Sequence, residues 1–156
     1  MPNVDLDRLD RALLDALQRD SAQTNEALSA QVGLSPSAIQ RRIRRLLADG
    51  VIERRVAVVD PVKIGRASLF IVGIEIERER PELVQRLRAW LREEDAVQQV
   101  YYVTGSADYI MLVTATDIAG FDALMSRMMA DNANVRRFTT NVALSTIKRS
   151  LVVPSG

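Results

Sequence analysis

Two short stretches carry the residue types with which this chain could do chemistry. In "LSPSAIQRRIRRLLADG", residues 34–50, Arg41, Arg42, Arg44 and Arg45 stand within five positions. A guanidinium is permanently charged, and its planar fork of donors grips phosphate oxygens or a guanine edge with two hydrogen bonds at once. Four of them in little more than one helical turn suit a polyanion. In "TGSADY", residues 104–109, Gly105, Ser106 and Ala107 offer backbone amides without bulky shielding, and Asp108 offers a carboxylate. Such amides hold a small carboxylate, while Asp108 would pair with an ammonium group. The same residues also suit a plain hairpin loop, with Gly105 taking an unusual backbone angle and Asp108 bonding to local amides.

Other chemistry has little to work with. The 156 residues include no Cys and no His, which removes disulfides, thiolate and imidazole catalysis and the usual zinc ligand sets. No Asp/Glu cluster, P-loop or GxGxxG pattern takes their place. The expectation is a non-enzyme with no catalytic residue, metal or cofactor. No apolar run approaches the ~18 residues of a membrane span. The start, "MPNVDLDRLDR", is acidic where a secretory signal would be basic and then apolar. A cytoplasmic protein without membrane association is expected, and a composition of 47% hydrophobic and 26% charged residues suits a globular core.

The overall charge of +1 hides a sorted distribution. Residues 34–66 carry eight basic side chains against three acidic ones, whereas the first 33 carry three against six. The elements that must position the arginines can be read from periodicity. Leu6, Leu9, Leu13, Leu14 and Leu17 recur at helical spacing over residues 6–19, with Asp5 placed to cap and carboxylates in the first turn. Thr24 caps a short second helix that stops at Gly33. After the turn Gly33, Leu34, Ser35, Pro36 opens a third helix that closes at Gly50. This spacing is that of a helix-turn-helix.

At about 100° per residue, an apolar stripe of Ile39, Ile43, Leu46 and Leu47 defines the buried side of the third helix. Arg41, Arg44 and Arg45 then point away from it, together with Ser37, while Gln40 and Arg42 flank it. Arg41 and Arg44 have no Asp or Glu three or four positions away. A solvated helix face normally mixes both signs, so duplex DNA is the preferred partner. A single helix neutralises few phosphates, so dimerisation is implied. "GVIERRVAVVD" reads as a β-rich wing carrying Arg54 and Arg55, and "DPVKIG" as a punctuated linker.

"LDRALLDALQRD", "LSAQVGLSPSAIQRRIRRLLADGVI" and "VDPVKIG" together resemble the winged helix-turn-helix and hinge of the Lrp/AsnC (feast/famine) transcriptional regulators. The resemblance implies that the helix from 35 to 49 enters the major groove. On it, the residues expected to contact DNA are Ser35, Ser37, Gln40, Arg41, Arg42, Arg44 and Arg45, with Arg54 from the wing.

The remaining residues read as a strand at 67–77, a helix opening at Pro81, two strands flanking the 104–109 loop, a helix "IAGFDALMSRMMADN", and a long last strand "VRRFTTNVALSTIK". Met111, Met125, Met128 and Met129 read as core filling. The order βαββαβ predicts a ferredoxin-like antiparallel sheet with both helices on one face, which leaves the other face for self-association. The expected fold is thus α+β: a winged helix-turn-helix at 1–60, a hinge at 61–66, and a βαββαβ domain at 67–150 for effector binding and oligomerisation.

The resemblance extends over this half as well. It implies a homodimer that assembles into a higher oligomer, an octamer, and an amino-acid effector bound between subunits beside a G-x-x-D loop. Gly105, Asp108 and Tyr109 match that pattern, and the residues expected to bind the effector are these with Thr104, Ser106 and Ala107, and Thr139 and Thr140 as a second wall. The competing reading is a small-molecule-binding or assembly protein without a DNA role.

Overall fold

A computed structural model describes residues 4–77 and 80–155. The chain forms two compact units: Met1–Val58 together with Lys148–Gly156, and Val59–Ile147. The returning C-terminal segment departs from the boundary expected at residue 150 and makes the first unit discontinuous in sequence.

The first unit is built from α1 (Arg8–Arg19), α2 (Asn25–Val32) and α3 (Pro36–Ala48). Asp7, not Asp5, is the cap of α1: its side chain accepts the Asp10 N–H, and the Asp10 side chain accepts the Asp7 N–H in return. Thr24 caps α2, and Gly33 ends it at φ 75°, a left-handed conformation in which a Cβ would be strained. Ser35 then caps α3 by accepting from the Ala38 amide, with Pro36 at the first helical position. Leu13, Leu17, Leu28, Ile39, Ile43 and Leu46 interlock as the core of this unit. Residues 53–60 form no strand. Here the expected β-rich wing is corrected, because an apolar alternating segment becomes a strand only within a paired ladder, and residues 53–60 belong to none.

The segment from 151 to 155 lies along α1. The Gln18 side-chain amide donates to the Val153 carbonyl at 2.9 Å and accepts the Val153 N–H at 2.8 Å. Ser155 Oγ lies 3.1 Å from the Arg11 carbonyl and 2.6 Å from Asp15 Oδ1. The Arg11 guanidinium closes the clasp on the Ser155 carbonyl.

The second unit contains β1 (Ser68–Ile76), α4 (Pro81–Glu93), β2 (Val97–Tyr102), β3 (Tyr109–Ala115), α5 (Ile118–Asp131) and β4 (Val135–Val142). The strand order is β2-β3-β1-β4, and every neighbouring pair is antiparallel. This is the expected βαββαβ arrangement, although β4 stops at Val142 and is shorter than its sequence pattern suggested. Phe70, Val72, Ile74, Met111 and Val113 pack beneath Leu87, Leu91, Leu124, Met125 and Met128 of the two helices. Phe70 stacks on Phe121 with ring centroids 3.9 Å apart. Strand alternation turns Ile71, Gly73, Tyr101 and Ile110 to the opposite face, where Ile71, Tyr101 and Ile110 are exposed. Among the described residues no helix is long and apolar enough to cross a membrane.

Candidate nucleic-acid interface and ligand loop

The four arginines of α3 fall into two pairs. Arg42 Nη1 donates to Asp7 Oδ2 and to Asp10 Oδ1, each at 2.7 Å. Arg45 Nη2 donates to the other Asp10 oxygen, and its Nε lies 4.0 Å from Asp49. The Asp10 side chain is only 1% exposed, whereas those of Arg42 and Arg45 are 21% and 45% exposed. Burial pushes the Asp10 carboxyl upward, but hydrogen bonds from Arg42 and then Arg45 outweigh it and leave the group below the usual carboxylate range. Asp7 is lowered first by the Asp10 amide and then by Arg42, while Arg42 is raised chiefly by Asp7.

Arg41 and Arg44 are exposed and have no ion pair among the described residues. Gln40 and Ser37 are exposed on the same helix, with Ser37 Oγ 3.2 Å from the capping Ser35 Oγ. Arg54 is exposed in the strandless segment that follows. Of the four α3 arginines expected to face DNA, Arg42 and Arg45 are ion-paired to the carboxylates at the start of α1. Asp49, four positions after Arg45, was the one neighbour to signal pairing; the carboxylates that hold Arg42 lie 32 and 35 positions away. The available signal was the Asp7–Asp10 capping pair facing a unit rich in cations.

At the other candidate site, Gly105 sits at φ 124° in the loop joining β2 to β3. The amides of Gly105, Ser106 and Ala107 have no acceptor among the described residues. Asp108 anchors the loop: Oδ2 accepts the Ile76 N–H at 2.8 Å, its amide donates to the Ile74 carbonyl, and its carbonyl accepts the Val103 N–H. One carboxylate oxygen thus bonds the backbone of β1, 32 positions away, where the plain-loop reading expected amides of the loop itself, and the other has no hydrogen bond among the described residues. Thr104 and Ser106 are exposed, with Ala107 half-buried.

The structure separates the two threonines of β4. Thr139 pairs with Gly73 and Thr140 with Val72, so they belong to opposite faces of the sheet. A Cβ placed on Gly73 would lie 2.9 Å from Thr139 Oγ1 and 3.3 Å from Ala107 Cβ. Thr139 therefore reaches the loop across Gly73, whereas Thr140, on the helix-covered side with Val72, does not. Tyr109 is likewise turned into the core, 2% exposed. Its hydroxyl accepts from Arg88 Nε at 3.3 Å, and Arg88 lies 5.4 Å above the Tyr102 ring. Arg88 and Tyr102 were not singled out in the sequence; with Val84 and Gln85 they line a cleft of about 290 Å³. A second cleft of about 380 Å³, at the far end of β3, is lined by Arg66, Thr114, Gly120 and Arg127.

Comparison with known proteins decides what these parts belong to. Residues 6–53 match the family model for a winged helix-turn-helix DNA-binding domain, and residues 69–153 match that for the Lrp/AsnC ligand binding domain. This chain belongs to the Lrp/AsnC family. An uncharacterized HTH-type transcriptional regulator of Sinorhizobium fredii is 41% identical over 97% of this chain and 89% of its own length. The crystal structure of an AsnC family transcriptional regulator from Agrobacterium tumefaciens superimposes with TM-score 0.90 at 36% identity, covering 96% of this chain and 97% of that one. The transcriptional regulator NMB0573 of Neisseria meningitidis, solved as a complex with L-Met, gives TM-score 0.89 at 25% identity, with 96% and 97% coverage. As an Lrp/AsnC protein, the chain is a DNA-binding transcriptional regulator with a ligand-binding domain, not an enzyme.

Proposed function

We propose that Arg41 and Arg44 of α3 carry the contact with operator DNA in the major groove, with Ser37, Gln40 and Arg54 beside them. The observation behind this is that these two guanidinium groups are exposed and unpaired on a helix whose opposite side is locked into the core. Two copies of α3 in a homodimer would meet half-sites about one helical turn, or a multiple of it, apart. The exposed face bearing Ile71, Tyr101 and Ile110 is the surface for pairing copies, and higher assembly up to an octamer follows the family's habit. The protein acts in the cytoplasm, where its DNA is.

The effector is an amino acid whose carboxylate meets the amides of Gly105, Ser106 and Ala107 and whose ammonium meets the remaining Asp108 oxygen, with Thr139 on the adjoining wall. The methionine bound by the Neisseria relative supports the chemical class. Binding there would shift operator affinity by a coupling free energy of about 1–3 kcal/mol.

The experiment is to select duplexes bound by the protein from a random-sequence pool, then titrate the selected duplex at fixed salt. Arg41→Ala and Arg44→Ala should each cost about 1–3 kcal/mol of affinity while circular dichroism stays native. Unchanged affinity in the folded double variant would overturn the assignment.

A further inference from the structure

The charge of α3 poses a problem of selection: four guanidinium groups share one helix, yet only two are unpaired. We infer that Asp10, seconded by Asp7, withholds Arg42 and Arg45 from nucleic acid and so restricts the reading surface to Arg41 and Arg44. This rests on the proposed role of those two arginines.

The geometry carries the inference. Asp7, Asp10, Arg42 and Arg45 form a neutral set of two anions and two cations between α1 and α3. Asp10 has both oxygens engaged: Oδ1 by Arg42, and Oδ2 by Arg45 and the Asp7 amide. Arg42 Nη1 is held by both carboxylates at once, so the charge Arg42 could lend a DNA phosphate is already compensated, and withdrawing it would take a partner from a carboxylate that is 1% exposed. Stripping one cation from a buried anion is strongly unfavourable, because water cannot replace the lost partner. The phosphate offers Arg42 nothing that Asp7 and Asp10 do not already supply at 2.7 Å.

The consequence concerns specificity. Phosphate contacts strengthen binding to every sequence alike, whereas base contacts discriminate. Four free arginines on one helix would raise affinity for bulk DNA along with affinity for the operator. Asp10 is therefore a positioning residue: it touches no DNA but sets how many cations α3 presents.

Each neutralised phosphate contributes about 0.9 to the slope of log affinity against log salt. The slope is measured for the protein and its single variants on a scrambled duplex and on a duplex selected by the protein. Arg41→Gln and Arg44→Gln are each expected to lower it by about 0.9. Arg42→Gln and Arg45→Gln are expected to leave it unchanged. Asp10→Asn, checked for native circular dichroism, is expected to steepen it on scrambled DNA by about 1–2 as the two arginines are released, and to narrow the affinity ratio between selected and scrambled duplexes.

A fall of about 0.9 for Arg42→Gln or Arg45→Gln would overturn the inference, as would a folded Asp10→Asn protein with the parent's slope. If Asp10→Asn does not fold, the two glutamine variants still decide, since each leaves Asp10 with one arginine. Failure of the underlying reading looks different: Arg41→Gln and Arg44→Gln would then leave the slope untouched.

Discussion

Arg42 donates to Asp10 across 2.7 Å, joining α3 to α1 over 32 positions of sequence. The contact buries a carboxylate in the same unit whose apolar core includes Leu13 and Leu46. Its cost is met by full engagement of both oxygens. Rigidity of α3 relative to α1 follows from charge as well as from apolar packing.

Acid should loosen this joint. The carboxyls of Asp7 and Asp10 are both held below their ordinary range. A depressed folded-state value means that the contribution is fully present above the unfolded value near 3.9 and is lost as pH falls through the folded one. Urea denaturation of the parent should therefore lose stability progressively below about pH 4, and Asp10→Asn should lose less over the same range. At pH 7, Asp10→Asn should cost about 3 kcal/mol, the low end for breaking a buried pair, since Arg42 and Arg45 retain access to water. An equal acid response in parent and variant would contradict this account.

Asp108 separates scaffold from recognition. Asp108→Asn keeps an oxygen for the Ile76 amide, so stability should stay within about 0.5 kcal/mol of the parent. Amino-acid binding by calorimetry should nonetheless be lost, because the ammonium has no anion to meet. Asp108→Ala should lose binding and also about 1 kcal/mol of stability through the unmet Ile76 N–H. Calorimetric binding retained by Asp108→Asn would exclude the charge pairing.

The contact of Gly73 with Thr139 should be sensitive to a single methyl group. Gly73→Ala puts a carbon 2.9 Å from Thr139 Oγ1, which should destabilise by about 1–3 kcal/mol as β4 shifts or Thr139 rotates. Thr139→Ala in the same chain should recover most of that loss, a coupling that denaturant titration of the four proteins of the cycle resolves. Additive losses would show that the close approach is not between these two groups.

Ile71 tests the exposed sheet face. Ile71→Lys adds a charge at the centre of β1 on the side that no helix covers. If copies pair through this face, sedimentation should show monomer where the parent is oligomeric, with native circular dichroism in both. An unchanged oligomer would move the interface elsewhere.

The sequence revealed periodic elements well and long-range electrostatics poorly. The outward direction of Arg41 and Arg44 follows from a 3.6-residue repeat, and the helix and strand order follows from apolar spacing. Arg45 also points outward by angle, yet its length lets it fold back to Asp10, a partner that neighbour counting along one helix does not find. Alternation separates Thr139 from Thr140 onto opposite faces, but only the register against Gly73 and Val72 says which of them meets the loop. The apolar residues 56–59 looked like a strand because propensity is local, whereas pairing is not.

The clasp of Val153 and Ser155 on α1 bears on how the molecule is made. These contacts span 135 to 144 residues, so they are out of reach while the ribosome is still extending the sheet. The three helices can collapse early around their leucines, but this unit closes only after synthesis has passed the whole of the sheet-bearing one. A nascent chain halted before residue 153 would carry its arginines on helices that lack the clasp.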